Sequence, residues 1–173
     1  MKEKITNLRT DHALKKETDI GPVVDQRQLE RDLSYIKIGK SEGASLFCGG
    51  ERVARETEGN FLTPALFIDT HNNMRINQEE IFGPVVTMIP FTTEEEVIKM
   101  ANSTKYGLSA SIFTENVSKA HRVAANIDSG VVWINTWLLR DLRIPFGGMK
   151  SSGMGREGAV SYTHLTLPTS DLV

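Results

Sequence analysis

Apolar and polar positions follow one another along the chain in a pattern that predicts short strands separated by amphipathic helices. The first predicted helix begins at Asp25, a good N-cap residue with Gln28 three positions later, and ends at Gly43. Its apolar positions recur at helical spacing: Leu29, Leu33 and Ile36. A second helix, residues 93–102, opens with a capping box made by Thr93 and Glu96. A third is predicted over residues 118–127.

Apolar runs between these helices predict the strands. They cover residues 44–48, 61–68, 85–89, 108–113 and 131–135. Pro64 has no backbone N–H to donate, so the middle of the second run is predicted to be an edge strand or a bulge. Residues 52–60 are predicted to form a polar loop. Strands alternating with helices at these intervals predict an α/β fold, a mostly parallel sheet with flanking helices and right-handed crossovers.

Length, composition and charge limit the classes of protein to which the chain can belong. A chain of 173 residues with one cysteine and a formal charge of −2 is typical of a single domain without a disulfide framework. The charge gives no reason to expect nucleic acid, and no apolar run reaches the ~18 residues of a membrane span. The start lacks a signal peptide, so we expect a cytoplasmic protein.

An acidic turn at residues 78–86 is the first candidate site. Glu80 offers two acceptor oxygens suited to a sugar diol, and Phe82 offers a flat apolar face. Gly83 and Pro84 then turn the chain into the third strand. Chemistry alone leaves two interpretations open, a ligand site or a charged turn leading into a buried strand.

Arg140 and Arg143 are the second candidate, because they lie in an otherwise apolar segment beside Trp137 and Phe146. A guanidinium there can bind a carboxylate bidentately. The alternative is a pair of surface charges, one of them paired with Asp141.

Three further features are expected to be structural. Cys48 has no histidine near it in sequence and reads as a small buried hydrophobe. Residues 153–158 match G-x-G-x-x-G, but no strand precedes them directly, so a tight turn is favoured over a phosphate site. The four histidines lack ligand spacing, and we predict no metal site.

Several separate segments together carry a resemblance. They are EEIFGP at 79–84, YGLS at 106–109, VWIN at 132–135 and PFGGMKSSGMGREG at 145–158. In this order and spacing they resemble the C-terminal part of the NAD(P)-dependent aldehyde dehydrogenase superfamily. The resemblance covers residues 18–158. It divides the chain into a charged leader or linker (1–18), a catalytic-domain portion (19–159) and a non-native tail (160–173).

The resemblance implies a chemistry and a set of site residues. The family oxidises aldehydes to acids through a cysteine thiohemiacetal, hydride transfer to NAD(P), and thioester hydrolysis assisted by a glutamate. Glu80 would hold the nicotinamide-side ribose and Phe82 would lie beside the nicotinamide, while Asn135 and Phe146 would line the substrate tunnel. The family's nucleophile and glutamate lie upstream of the matched region. We therefore expect no catalytic residue here, and a fragment that is inactive alone.

The substrate is predicted from two segments that point to different subfamilies. Residues 135–143 resemble 2-aminomuconate and 2-hydroxymuconate semialdehyde dehydrogenases, whose carboxylated substrates would give Arg140, and less directly Arg143, a partner. Residues 19–29 and 61–67 resemble 2-oxoglutarate semialdehyde dehydrogenases. A non-catalytic α/β binding module is the alternative from another class. The expected partners are a small aldehyde and, for a full-length parent, further copies of itself.

Overall fold

The computed structural model describes residues 2–158, which form two compact units divided between Pro90 and Phe91. Unit 1 contains the helices α1 (Lys2–Thr6), α2 (Gln26–Ser41) and α3 (Arg75–Gln78). Its strands are β1 (Ser45–Cys48), β2 (Arg52–Val53), β3 (Phe61–Leu62), β4 (Ala65–Ile68) and β5 (Val85–Thr87). Unit 2 contains α4 (Glu94–Asn102), α5 (Val117–Ala124), β6 (Tyr106–Gly107), β7 (Ser109–Ile112), β8 (Val131–Ile134) and β9 (Met149–Lys150).

Unit 1 is built on a three-stranded sheet with α2 against it. The strand order is β1–β4–β5, and β4 is antiparallel to β1 and parallel to β5. The central strand β4 carries the core, since Phe67 is fully buried and contacts a cluster that includes Leu29 and Ile36 of α2. Burying this apolar stripe is what holds the helix on the sheet.

Local signals fix the ends of α2 as expected. The Asp25 carboxylate accepts a hydrogen bond from the backbone N–H of Gln28 at 2.7 Å. Gly43 follows the helix with a φ of +97°, in the left-handed region that glycine enters without strain. Pro64 interrupts the second predicted strand, which divides into β3 and β4.

Unit 2 holds a parallel pair, β7 and β8, connected through α5. The predicted cap of α4 is present with one change of partner. Thr93 Oγ1 accepts from the Glu96 N–H at 3.1 Å, but the Glu96 carboxylate returns to Thr92, whose N–H it accepts at 2.8 Å. The hydrogen bonds that the carboxylate accepts from the N–H and the hydroxyl of Thr92 lower the pKa of Glu96.

The α/β class is confirmed, and the pairing of the strands is mixed. The β4–β5 and β7–β8 pairs are parallel, whereas β1–β4, β2–β3 and β6–β9 are antiparallel within the described residues. The short elements α1, α3, β2, β6 and β9 carry no periodic pattern that predicts them, and the third predicted helix ends at Ala124, three residues early. None of the helices in residues 2–158 has the length and apolar character that crossing a bilayer requires.

The segment predicted to be a leader packs against unit 1. Thr10 is 2% exposed, forms a bridge with Ile20, and its carbonyl accepts from Arg55 Nε at 2.6 Å. Residues in this part of the chain therefore belong to the first unit. The predicted non-native tail, residues 160–173, lies outside the described residues.

Candidate functional site

The acidic turn lies between α3 and β5 in unit 1 and presents two side chains to solvent. Phe82 is 76% exposed and has a φ of +64°, a conformation that a bulky residue seldom adopts. Glu80 is exposed, and its side chain makes no hydrogen bond or ion pair with any described residue. Its backbone carbonyl accepts from Arg31 of α2 at 2.6 Å. The turn thus combines a free carboxylate with a projecting aromatic ring.

The neighbouring carboxylate, Glu79, has a different role. It accepts a hydrogen bond from the Tyr35 hydroxyl at 2.5 Å and forms a bidentate pair with Arg75 at 2.8 and 3.0 Å. The Glu79 carboxylate raises the pKa of Tyr35, and it also raises the pKa of Arg75. Of the two glutamates at the turn, only Glu80 is available to a ligand.

A row of polar residues on α2 contacts the acidic turn. Gln28 Nε2 donates to the carbonyl of Ile81 at 2.9 Å and to Asp32 at 2.6 Å. Four residues of α2 follow the i, i+3, i+4, i+7 spacing of one helix face: Gln28, Arg31, Asp32 and Tyr35. This spacing can be read from the sequence, beside the apolar stripe of α2. The segment that these residues contact, about 50 residues further along the chain, cannot be read from it.

Asn135 lies at the end of β8 in unit 2, where its side chain is already engaged. Its Oδ1 accepts from the Thr114 N–H at 2.8 Å, and its Nδ2 donates to the Thr114 carbonyl at 2.9 Å. The residue has a φ of +54°, which Asn tolerates better than most residues. These contacts close the end of the β7–β8 pair.

Arg140 and Phe146 are brought together. The Arg140 guanidinium lies 4.3 Å from the centroid of the Phe146 ring, and its Nη2 donates to Glu157 at 2.6 Å. Phe146 and Glu157 also exchange two backbone hydrogen bonds, at 2.8 and 2.7 Å. This geometry fixes a guanidinium over an aromatic face and gives it a carboxylate partner, which is the chemistry expected of a carboxylate-binding arginine.

Arg143 belongs to a separate local pair. Its Nη2 donates to Asp141 at 2.6 Å, and its side chain is 88% exposed. The pairing raises the pKa of Arg143 and lowers the pKa of Asp141. This is the surface pairing that the sequence offered as the alternative.

Cys48 and the glycine-rich segment 145–158 are two features that the sequence predicts to be structural. Cys48, predicted to be a small buried hydrophobe, is half-buried and pairs with Leu66 next to a register shift. Glycines of residues 145–158 lie close to backbone atoms of the same segment and of Gly130. A Cβ on Gly147 would lie 2.4 Å from the Gly155 carbonyl oxygen, and one on Gly130 would lie 1.6 Å from that of Gly147.

Comparison with known proteins identifies the family. The family model for the aldehyde dehydrogenase family matches residues 1–169. The chain is 48% identical over 147 residues to the 2-aminomuconic semialdehyde dehydrogenase of Bos taurus, and 42% identical over 161 residues to a betaine aldehyde dehydrogenase of Brucella anthropi. These alignments cover 82% and 92% of this chain.

A solved structure of similar fold is the NAD+ complex of an aldehyde dehydrogenase from Bacillus cereus. It is 44% identical with a TM-score of 0.88, over 92% of this chain and 32% of that one. The chain spans about a third of the length of its relatives, 30% for the bovine protein and 33% for the Brucella protein. On the family match and these identities, the chain belongs to the aldehyde dehydrogenase family.

Proposed function

We propose that the chain is part of an NAD(P)-dependent dehydrogenase that oxidises an aldehyde to the acid, with Glu80 and Phe82 in its cofactor site. The observation that carries this proposal is the free, exposed Glu80 carboxylate beside the projecting Phe82 ring. A carboxylate matches the paired hydroxyls of a ribose, and a flat ring matches a nicotinamide face. The Bacillus cereus relative, solved with NAD+, adds support.

The residues of this chain would bind and orient the cofactor rather than attack the aldehyde. When bound, NAD(P) supplies the hydride acceptor of the oxidation. Glu80 would accept hydrogen bonds from the ribose, and Phe82 would limit the space beside the nicotinamide. No residue of this chain is proposed as the nucleophilic thiol or as the base.

The test of the cofactor site is Glu80→Gln in the full-length protein. Removing the charge weakens charge-assisted hydrogen bonds worth about 1.5–3 kcal/mol, so we expect the KM for NAD+ to rise about tenfold or more. The control is Glu58→Gln, an exposed glutamate of the same unit. An unchanged KM for NAD+ in the Glu80 variant would contradict the assignment.

For the substrate we propose a semialdehyde that carries a carboxylate, such as a 2-aminomuconate type. The supporting feature is Arg140, held over Phe146 and already paired with a carboxylate, that of Glu157. The bovine relative is named for such a substrate, whereas the Brucella relative is named for betaine aldehyde, a quaternary ammonium compound. The two substrates carry opposite charges at the end remote from the aldehyde, so kinetics with both separates the two possibilities.

Arg140→Ala tests the substrate proposal. Loss of a charge-assisted contact of about 1.5–3 kcal/mol should raise the KM for a carboxylated semialdehyde at least tenfold and leave the KM for a neutral aldehyde of similar size nearly unchanged. Arg143→Ala serves as the comparison, and we expect a smaller effect because this side chain is 88% exposed, whereas that of Arg140 is 46% exposed and lies over the Phe146 ring. Equal effects of Arg140→Ala on both aldehydes would refute the role. A series of carboxylated semialdehydes of different length separates the 2-aminomuconate type from the 2-oxoglutarate type.

A further inference from the structure

Asp32 is a buried carboxylate that has no role in the chemistry above. The residue is 0% exposed, and its Oδ2 makes no hydrogen bond with any described residue. Its Oδ1 accepts from Gln28 Nε2 at 2.6 Å. Burying an incompletely paired carboxylate is costly, so its presence within α2 requires an explanation.

Asp32 lies directly against the acidic turn. A Cβ placed on Gly83 would be 2.2 Å from Asp32 Oδ1, so the carboxylate occupies the space that a side chain at position 83 would need. Gln28, which donates to Asp32, donates through the same nitrogen to the carbonyl of Ile81 at 2.9 Å. The carboxylate is thereby connected to the residues on both sides of Phe82.

The backbone at Phe82 needs such support. Its φ of +64° is unfavourable for a bulky residue and persists only where the surroundings enforce it. Helix α2 contacts the residues on both sides of Phe82, through the Gln28 hydrogen bond to Ile81 and the approach of Asp32 to Gly83.

We propose that Asp32 is a positioning residue for the cofactor: through Gln28 and through its contact with Gly83 it holds residues 81–83 in the conformation that presents Glu80 and Phe82. This inference rests on the proposed cofactor role of those two residues. The ionised carboxylate is the effective form, because it accepts the Gln28 hydrogen bond more strongly than the neutral acid does. The affinity for NAD+ should therefore fall as Asp32 becomes protonated.

The charges around Asp32 are compatible with titration of this group. Burial is the main cause that raises the pKa of Asp32, and the Gln28 hydrogen bond and the charge of Arg31 act against it. On the side of the turn, Glu79 is paired with Arg75 of α3 and with Tyr35, while Glu80 is exposed.

The test is Asp32→Asn in the full-length protein, with the dissociation constant for NAD+ measured by calorimetry between about pH 5.5 and 9. The amide keeps the size and an acceptor oxygen but lacks the charge. We expect about five- to tenfold weaker binding at pH 8, and a smaller difference between variant and wild type at the acid end. Asp25→Asn is the matched control, since this exposed aspartate caps the same helix and both residue types cap well.

Each outcome decides a separate point. If Asp32→Asn binds NAD+ like the wild type at every pH, the positioning role is overturned. If the wild type itself fails to bind NAD+, the proposed function fails, and hydrogen exchange of residues 81–85 then tests the positioning alone. Faster exchange there in Asp32→Asn than in Asp25→Asn would support it, and equal exchange would overturn it.

A second pair of variants tests the contact itself. Gly83→Ala should weaken NAD+ binding because the added methyl group meets the Asp32 carboxylate. In an Asp32→Ala background that obstacle is absent, so the same substitution should have a much smaller effect on the dissociation constant. Equal effects of Gly83→Ala in the two backgrounds would show that the two residues act independently and would overturn the proposal.

Discussion

Two adjacent glutamates in the acidic turn have different roles because of their partners. Glu79 is used by Tyr35 and Arg75, and Glu80 is left to solvent. The two arginines of unit 2 are both paired, Arg140 with Glu157 and Arg143 with Asp141, and they differ because Arg140 also lies over the Phe146 ring. The environment of each residue, and not its type, selects the one suited to a ligand.

Asp32 gives a prediction for stability at this scale. Burial raises its pKa, so the folded state holds the proton more firmly than the unfolded state. Protonation of Asp32 therefore stabilises the folded state. This contribution to the free energy of unfolding is fully present below the ordinary carboxyl pKa, and it is lost as the pH rises through the raised pKa of the folded state. Asp32→Asn has no charge to bury. We expect it to unfold at higher urea concentration than the wild type at pH 8, with a smaller gain at pH 4.

Urea titrations of wild type, Asp32→Asn and Asp25→Asn over this pH range make the measurement. If Asp32→Asn were less stable than the wild type at pH 8, the predicted direction of the change in stability would be wrong. With the binding experiment, the expected result is a protein that is more stable but binds NAD+ less tightly, as is common where a residue serves function.

At the scale of elements, the sequence predicted what depends on neighbours along the chain. The caps by Asp25 and Thr93 join residues three apart, and the break at Pro64 follows from a missing N–H. The support of the acidic turn joins Gln28 to Ile81, and no local pattern specifies that partner. The positive φ of Phe82 is likewise not specified by its own propensity, because a bulky residue seldom adopts it.

The junction between β1 and β4 supplies a second prediction. Gly49 has a φ of +70°, and a Cβ there would lie 1.7 Å from the Pro64 carbonyl oxygen. Gly49→Ala therefore combines backbone strain with a clash that only a backbone shift relieves, and we expect a loss of about 3 kcal/mol.

Gly43→Ala is the matched control. Gly43 has a φ of +97° with nothing within 4 Å of an added Cβ, so only the strain remains and we expect a loss of about 1 kcal/mol. Unfolding of both variants in denaturant measures the difference. Equal losses would show that the approach of Pro64 is easily relieved.

At the scale of the molecule, unit 2 exposes a run of large apolar side chains. Each is at least 57% exposed: Trp137, Leu138, Leu139, Leu142 and Ile144. The run is anchored by Trp133, which is buried, stacks edge-on with Trp137 at 5.5 Å and donates to the Leu139 carbonyl at 2.9 Å. An anchored apolar surface of this kind is typical of protein contact sites.

The division between Pro90 and Phe91 has a consequence for how such enzymes diversify. The partners of the acidic turn named here all lie in unit 1, and the partners of Asn135, Arg140 and Phe146 all lie in unit 2. Exchanging residues 135–146 between relatives should therefore transfer aldehyde preference as a cassette while the affinity for NAD+ stays that of the recipient. The residues proposed for cofactor binding and those proposed for substrate choice lie in separate stretches of the chain, so a substitution in one set need not alter the other.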